Sequence, residues 1–187
     1  MLNKKAKKPT KQELLAAKNK SVPDIIATDL KVLFVGINPS LYSAAVQHHF
    51  ARPGNRFWPV LHSAGFTSRL LSPDEEIELL KDGYGITNVV SRATASAAEL
   101  SAEELTAGGR GLLAKIKKYK PHIVAILGIG AYRAAFGRSK ATFGKQLETL
   151  ENVPLWVLPN PSGLNATYQM PDLTRIYRKL QNAAKKS

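Results

Sequence analysis

Three features of the sequence predict an α/β domain built as a three-layer sandwich, in which helices flank a central, mostly parallel sheet of four or five strands. Apolar runs of strand length alternate with amphipathic segments, a pattern typical of a parallel sheet covered by helices. The most continuous apolar run, at 123–127, has the composition of a strand buried on both faces. The 187 residues show no internal repeat or linker and are enough for one core. We therefore expect a single folded domain.

Capping residues and strand-like runs assign the elements of the first half. Thr10 is a candidate N-cap, and Ser72 opens a capping box with Pro73 in the first helical position. Asn55 precedes an apolar helix that Gly65 ends. The predicted elements are helices at 11–18, 41–46, 56–64 and 73–81 and strands at 31–35 and 85–90.

The second half follows the same alternation. Ser101 with Glu104 forms another capping box, which opens a helix that reaches Tyr119. The Gly108-Gly109 pair inside this helix is costly to helix formation, so the sequence predicts either a break or close packing there. The remaining predictions are helices at 130–136 and 172–184, strands at 123–127 and 155–158, and an edge strand or hairpin at 145–151.

The basic charge is concentrated at the N-terminus. The first 20 residues hold seven lysines and one glutamate, a net charge of +6, and the remainder keeps +7 of the total +13. We expect a flexible basic tail over 1–22, a single domain over 23–184 and a short C-terminal tail at 185–187. A body that is still strongly basic favours a polyanionic partner, because it attracts that partner over long range and releases its counterions. The charge thus indicates nucleic acid without establishing it.

Composition excludes several classes of protein and site. The chain has no cysteine, which rules out disulfides, thiol catalysis, iron–sulfur clusters and cysteine-ligated zinc. No apolar run approaches the ~20 residues of a membrane span, and the lysine-rich start lacks the apolar core of a secretory signal. The loop Gly128-Ile129-Gly130 follows a strand as a dinucleotide-binding loop would, but Arg133 stands where a third small residue belongs. We expect a cytoplasmic, monomeric protein with no metal, no cofactor and no membrane association.

Two asparagine-proline loops are the most informative motifs. Gly36-Ile37-Asn38-Pro39-Ser40 follows the first strand, and Asn160-Pro161-Ser162-Gly163-Leu164-Asn165 follows the last one. Because loops at the carboxyl ends of parallel strands meet in one crevice, these distant segments could share a site. Such a site would hold two neutral amides and no obvious acid, base or thiol.

Together with a third segment, these loops resemble a known enzyme family. The third segment is Phe50-Ala51-Arg52-Pro53-Gly54-Asn55-Arg56-Phe57-Trp58, and the three in this order resemble the mismatch-specific uracil-DNA glycosylases and the related thymine-DNA glycosylases. The resemblance covers roughly residues 30–180. It implies a uracil-DNA glycosylase-like fold and a monofunctional hydrolase of base excision repair. Such an enzyme cleaves the N-glycosidic bond of uracil in double-stranded DNA, best opposite guanine, and leaves an abasic site.

The resemblance also implies roles for individual residues. Asn38 would be the catalytic residue and would hold the attacking water through its side-chain carbonyl oxygen, because an amide is not an ordinary base at neutral pH. Phe50 would stack on the flipped base, whose carbonyl oxygens would meet backbone amides around Ile37, Ser40 and Phe50. Asn88, at the end of the second strand, either contacts the base or only caps the turn that follows.

The second loop is expected to act on the DNA duplex. Unstacking a base costs a few kcal/mol, and contacts made only in the flipped state must offset that cost. The resemblance implies that Leu164 enters the vacated space as a wedge and that nearby backbone groups meet the opposite guanine. The residues assigned to the wedge and to the opposite strand are Asn160, Pro161, Ser162, Gly163, Leu164 and Asn165. The alternative is a proline-glycine turn that carries one exposed leucine.

Two departures from the family pattern bear on the substrate range. Ser40 stands where a glycine is usual, and Ala166 and Thr167 follow the wedge where some relatives place arginine. The sequence therefore leaves open a broader range that includes thymine or damaged bases such as hypoxanthine and xanthine. A protein of another class, a non-catalytic DNA-binding module that senses mismatches with the same wedge, is the further alternative.

Overall fold

The computed structural model describes residues 8–186, which hold a five-stranded sheet with helices on both faces. The strands are β1 (Val32–Gly36), β2 (Tyr84–Asn88), β3 (Val124–Leu127), β4 (Gly144–Leu150) and β5 (Val153–Leu158). The α-helices are α1 (Lys11–Ala16), α2 (Leu41–Val46), α3 (Phe57–Ala64), α4 (Ala102–Tyr119), α5 (Ile129–Phe136) and α6 (Met170–Ala184). Two 3₁₀ helices lie at Pro73–Asp82 and Ala97–Glu99. Within 8–186, no helix combines the length and the apolar composition that a membrane span requires.

The sheet has the strand order β2-β1-β3-β5-β4. The first four strands in this order run parallel, and β4 pairs antiparallel with β5 at one edge. The predicted α/β class and mostly parallel sheet are thus confirmed, and β3 is the middle strand, as its continuous apolar run predicts. Because β1, β2, β3 and β5 are parallel, the loops after all four strands open on the same edge of the sheet.

Alternate residues of β1 contribute to two separate cores. Val32 and Phe34 face the layer that contains α3 and α6, whereas Leu33 and Val35 face the layer of α4 and α5. All five residues of β1 are buried, as a strand covered on both faces requires. Phe57, which opens α3, is fully buried in the first of these cores. The two cores pack against opposite faces of the sheet and so fix the carboxyl ends of β1 and β5, from which the asparagine-proline loops extend.

The segment after Ser72 forms a 3₁₀ helix where the sequence predicted an ordinary helix. The predicted capping box is present, with Pro73 at the start. Glu76 and Leu79 are both buried, and the three residues per turn of a 3₁₀ helix put them on one side. The buried Glu76 carboxylate accepts a hydrogen bond from the backbone N–H of His49, at 2.7 Å.

The segment 10–22 belongs to the folded body, which differs from the flexible tail predicted for 1–22. Ala17 and Val22 are buried in a small apolar cluster beside α2. Two backbone hydrogen bonds join the segment to Ala93. Two small apolar side chains are a weak signal among many lysines, so composition alone suggested a solvated arm. Residues 1–7 of the predicted N-terminal tail and residue 187 of the predicted C-terminal tail lie outside the described residues.

Gly108 and Gly109 lie within an unbroken α4, so the pair serves close packing and does not break the helix. A Cβ atom on Gly108 would lie under 3.0 Å from the carbonyl oxygen of Val89, and one on Gly109 would lie 2.8 Å from that of Ala135. Both neighbours are backbone atoms, which cannot rotate away as a side chain can.

We expect Gly108→Ala to lower the free energy of unfolding by about 1–3 kcal/mol, because the added methyl group overpacks a site that cannot relax. Gly111→Ala is the matched control, since it adds the same atom to the same helix where nothing lies within 4 Å. That control should raise the free energy of unfolding by about 0.5–1 kcal/mol. Urea unfolding measures both, and equal effects of the two substitutions would contradict the packing role of Gly108.

Candidate functional site

A cavity of about 290 Å³ lies at the carboxyl edge of the sheet. It is formed by the loops after β1, β2 and β5 together with the segment that follows α2. The structure brings the two asparagine-proline loops and Phe50 into this one cavity, as the sequence predicted for segments so far apart. The predicted site residues that line it are Ile37, Asn38, Ser40, Phe50, Asn88, Asn160, Ser162 and Leu164. Pro161, Gly163 and Asn165 belong to the same loop but do not line the cavity.

The side chain of Asn38 has one defined orientation. Its Nδ2 atom donates hydrogen bonds to the carbonyl oxygen of Arg92, at 3.0 Å, and to Oγ1 of Thr94, at 2.7 Å. A carbonyl oxygen can only accept, so the atom that faces Arg92 must be the amide nitrogen. None of the described groups donates to Oδ1 of Asn38. This oxygen is therefore available as an acceptor in the cavity.

Thr94 is a site residue that the sequence reasoning missed. Its hydroxyl donates to the carbonyl oxygen of Ser96 at 2.8 Å, which leaves Oγ1 to accept from Asn38. The backbone N–H of Thr94 also donates to the carbonyl oxygen of Pro39, so Thr94 alone joins the two loops by two hydrogen bonds. Glu104 pairs with the guanidinium of Arg92 and fixes the same loop. No local motif marks Thr94, because its role depends on a contact across 56 residues.

Phe50 is held in a left-handed backbone conformation, with φ of 53°. Its ring stacks on that of Phe57, with centroids 4.0 Å apart and planes at 22°. The preceding residue, His49, is fixed by two backbone hydrogen bonds. Its N–H donates to the Glu76 carboxylate, and its carbonyl oxygen accepts from the indole N–H of Trp58. The Phe50 ring, backed by the buried Phe57, presents an aromatic surface that is part of the cavity wall.

Asn88 lies over Gly36, and this close approach requires a glycine. A Cβ atom at position 36 would lie under 3.0 Å from Oδ1 of Asn88 and 3.3 Å from the Phe50 ring. Asn88 is buried, yet within 8–186 its amide has no hydrogen-bond partner. The turn-capping interpretation predicted such a bond. The Asn88 amide is therefore a free donor and acceptor where it lines the cavity.

Ser40, the departure from the family pattern, is the N-cap of α2. Its φ is −72°, a value open to any residue, so the position does not require glycine. The Ser40 hydroxyl accepts from the backbone N–H of Ser43 and donates to the Ser43 hydroxyl at 3.1 Å. The extra hydroxymethyl group thus caps the start of α2, and Ser40 forms part of the cavity wall.

The second asparagine-proline loop, called the 160–165 loop below, is ordered by its own side chains. Oδ1 of Asn160 accepts from the backbone N–H of Ser162, and the amide of Asn165 donates to the Asn160 carbonyl oxygen, both at 3.0 Å. The Ser162 hydroxyl accepts from the backbone N–H of Leu164 at 3.2 Å. The Leu164 side chain is 75 % exposed and stands at the rim of the cavity.

His49 adds a neutral histidine to the cavity wall. It is buried, and its Nε2 lies 2.8 Å from the carbonyl oxygen of Pro23, which assigns the proton to that nitrogen. Burial lowers the pKa of His49 from its ordinary value of 6.5, and the hydrogen bond to Pro23 and the charge of Glu76 oppose this effect only in part. The imidazole therefore stays uncharged at neutral pH.

The free energy of unfolding is expected to fall as the pH is lowered from about 7.5 to about 5, because the unfolded chain protonates His49 before the folded protein does. The pKa of His49 is lower in the folded protein than in the unfolded chain. The contribution of His49 to the free energy of unfolding is therefore fully present at pH values above the unfolded pKa of 6.5, and it is lost as the pH falls. His49→Gln should flatten the slope in this window. His122→Gln, which changes an exposed histidine, should retain it. An unchanged slope in His49→Gln would contradict the assignment.

Among the described residues, no group of three or more histidine, aspartate or glutamate side chains is arranged to hold a metal ion. The polar groups that face the cavity are mainly amides, hydroxyls and backbone groups.

Comparison with known proteins supports the fold and identifies a superfamily. The family model of the uracil DNA glycosylase superfamily matches residues 23–181. Among solved structures, the chain is similar to the solution NMR structure of a candidate uracil DNA glycosylase from Methanosarcina acetivorans, with a TM-score of 0.57 and 20 % sequence identity. The match covers 87 % of this chain and 98 % of that one, and it supports the fold. Since the family match spans most of the sequence, the chain belongs to the uracil DNA glycosylase superfamily.

Proposed function

We propose that this protein is a monofunctional uracil-DNA glycosylase that acts on double-stranded DNA, best on uracil opposite guanine. The observation that carries the proposal is the fixed amide of Asn38, whose Oδ1 is free in a cavity walled by the Phe50 ring. The cavity also has an exposed leucine, Leu164, at its rim. Together these groups provide a water ligand, a surface for a planar base and a wedge.

Hydrolysis in this cavity would rely on fixed dipoles instead of an acid and a base. Breaking the glycosidic bond develops positive charge on the deoxyribose and negative charge on the departing base, and uracil forms a tolerable anion. Oδ1 of Asn38 would accept a hydrogen bond from a water and orient the oxygen of that water toward the sugar. Because an amide is not a base at neutral pH, it would not remove a proton from the water before the glycosidic bond breaks. Backbone amides around Ile37 and Ser40 would stabilise the charge on the base. We expect slow turnover compared with glycosylases that carry an aspartate at this position.

Recognition of the base would combine stacking with one amide. The Phe50 ring, supported by Phe57, offers a flat surface that accepts a planar base without fixing its identity. The free amide of Asn88 can donate and accept, and so can match the edge of a pyrimidine.

That same adaptability favours a second candidate, a broader glycosylase that also removes thymine or deaminated purines such as hypoxanthine and xanthine. The Asn88 amide has no protein partner in the described chain and is therefore free to present either of its ends to a base.

The proposed partner is double-stranded DNA that contains a mismatched or damaged base, and the product is an abasic site. The positive charge of the body supports this partner, since neutralising phosphates releases counterions. All segments of the cavity come from one chain, so we propose that the protein acts as a monomer, and that it does so on DNA in the cytoplasm.

A panel of duplexes tests the proposal. The protein is incubated with uracil–guanine, uracil–adenine, thymine–guanine and hypoxanthine-containing duplexes and then treated with alkali, which cuts at abasic sites. We expect cleavage to be fastest for uracil opposite guanine. Cleavage of thymine or hypoxanthine at a similar rate would favour the broader enzyme. Binding without strand cleavage on every duplex would overturn the enzyme assignment and leave a mismatch-sensing module.

A further inference from the structure

Arg56 lies beneath the 160–165 loop and bonds it at several points. Its Nη2 atom donates to the carbonyl oxygens of Ser162 and, at 2.8 Å, of Asn165. Its Nη1 atom donates to the carbonyl oxygen of Tyr168 at 2.7 Å. Its backbone N–H donates to the carbonyl oxygen of Pro161 at 2.9 Å. Arg56 thus contacts three carbonyl groups of the 160–165 loop and a fourth, that of Tyr168, just beyond it, all more than 100 residues away in sequence.

The two terminal nitrogens of the Arg56 guanidinium are hydrogen-bonded by this loop and by Tyr168, whereas its Nε atom is buried without a partner among the described residues. Within the part of the chain that the structure describes, none of the ion pairs involves Arg56, so the carbonyl dipoles are what balances its charge. A partly buried charge is costly unless it is hydrogen-bonded, and these acceptors exist only while the loop keeps its present shape. The stability of the charge and the shape of the loop therefore depend on each other.

A second contact joins the same two segments without side chains. A Cβ atom on Gly163 would lie 2.5 Å from the carbonyl oxygen of Gly54, so the two backbones touch where neither residue has a side chain. Gly54 follows Phe50 by four residues. The segment that carries the stacking ring and the 160–165 loop are thus joined at Gly54 and again at Arg56.

We infer that Arg56 is a positioning residue that holds the 160–165 loop in its inserting shape before DNA is bound. This inference rests on the proposed function, in which Leu164 replaces the flipped base. A loop that is already ordered loses little conformational entropy on binding, so more of the contact energy of Leu164 is available to keep the base out of the stack. Arg56 would then assist the reaction on duplex DNA without touching the base, the sugar or the water.

Hydrogen exchange of the free protein tests the structural part of this inference without any need for activity. In Arg56→Met, we expect backbone amides of 162–168 to exchange at least about tenfold faster than in the wild type, because the loop opens locally. Arg178→Met is the matched control, since it removes one guanidinium bond to a carbonyl oxygen, that of Ser63, on α3 and outside the loop. It should leave the exchange of 162–168 unchanged. Unchanged exchange in Arg56→Met would overturn the inference.

Excision assays test the functional part. In Arg56→Met and Arg56→Lys, the single-turnover rate on a uracil–guanine duplex should fall about tenfold or more, while the rate on single-stranded uracil DNA falls less than about twofold, because only the duplex needs the wedge. Lysine keeps the charge but cannot bond several carbonyls in a fork, so it should not restore the wild-type ratio. An equal loss on both substrates, or full activity of Arg56→Lys, would overturn the positioning role.

These assays also separate this inference from the proposed function. If the wild-type protein excises no uracil from either substrate, the proposed function fails, and the exchange result still decides whether Arg56 holds the loop. If the wild type is active and the ratio of duplex to single-stranded rates does not change in the Arg56 variants, the proposed function stands and the inference about Arg56 is wrong.

Discussion

Asn38→Ala should lower the single-turnover rate of uracil excision from a uracil–guanine duplex by about 10²–10³-fold, the loss typical of deleting a pre-oriented polar group at a reacting centre. The Nδ2 bonds to Arg92 and Thr94 fix the amide, so Oδ1 needs no reorganisation when it takes up the water. Affinity for a duplex with an abasic site should stay near the wild-type value, because the substitution leaves the 160–165 loop intact. A rate within about threefold of the wild type would exclude the role of Asn38 in positioning water.

Asn38→Asp provides a sharper form of this test. A carboxylate is a stronger base than an amide, and basicity alone would therefore predict a faster reaction. In this structure, however, a carboxylate oxygen would face the Arg92 carbonyl oxygen, which cannot donate. Repulsion between the two oxygens should turn the side chain away, so we expect Asn38→Asp to be slower than the wild type. A faster Asn38→Asp enzyme would show that the surroundings of Asn38 adapt to a base.

The local signals in the sequence account for most of the fold. Capping boxes at Ser72 and Ser101 and the apolar run of β3 place their elements within a residue or two of those observed. These signals work because each depends on neighbours three or four residues away. The 3₁₀ winding of 73–82 and the packing of Ala17 depend on contacts with distant segments, and local rules do not report such contacts.

The residues of the candidate site also fall into two groups, those that sequence motifs mark and those that only long-range contacts reveal. Asn38, Phe50 and Leu164 stand in motifs, and parallel topology is enough to bring the loops of Asn38 and Leu164 together. Thr94 and Arg56 were not assigned roles, because each acts through hydrogen bonds to chain segments more than 50 residues away. Arg56 stands in the segment 50–58 that resembles the family, but its bonds to carbonyl groups leave no trace in the sequence. Residues that bind substrate tend to appear in motifs, whereas residues that hold them in place become visible only in three dimensions.

Leu164→Ala should slow uracil excision from a uracil–guanine duplex by about 10–100-fold, since an alanine forfeits much of the ~1.5–3 kcal/mol that a leucine side chain gains on burial. Leu164 is 75 % exposed in the free protein, so nearly all of this burial would occur on binding DNA. Removing an exposed side chain should leave the free energy of unfolding almost unchanged. Leu147→Ala is the matched control, because Leu147 is fully exposed on the edge strand β4 and does not line the cavity.

The wedge role predicts a particular pattern of losses for Leu164→Ala. Single-stranded DNA has no stack to refill the vacated space, so its excision rate should change by less than about twofold. A uracil–adenine pair is more stable than a uracil–guanine mismatch, so the loss should be largest there, where flipping costs most. Hydrogen exchange in the 160–165 loop should stay at the wild-type rate, in contrast to Arg56→Met. The one bond by which Leu164 orders the loop comes from its backbone N–H, and alanine keeps that bond. Equal losses on all three substrates would show that Leu164 acts on the base or the sugar and is not a wedge.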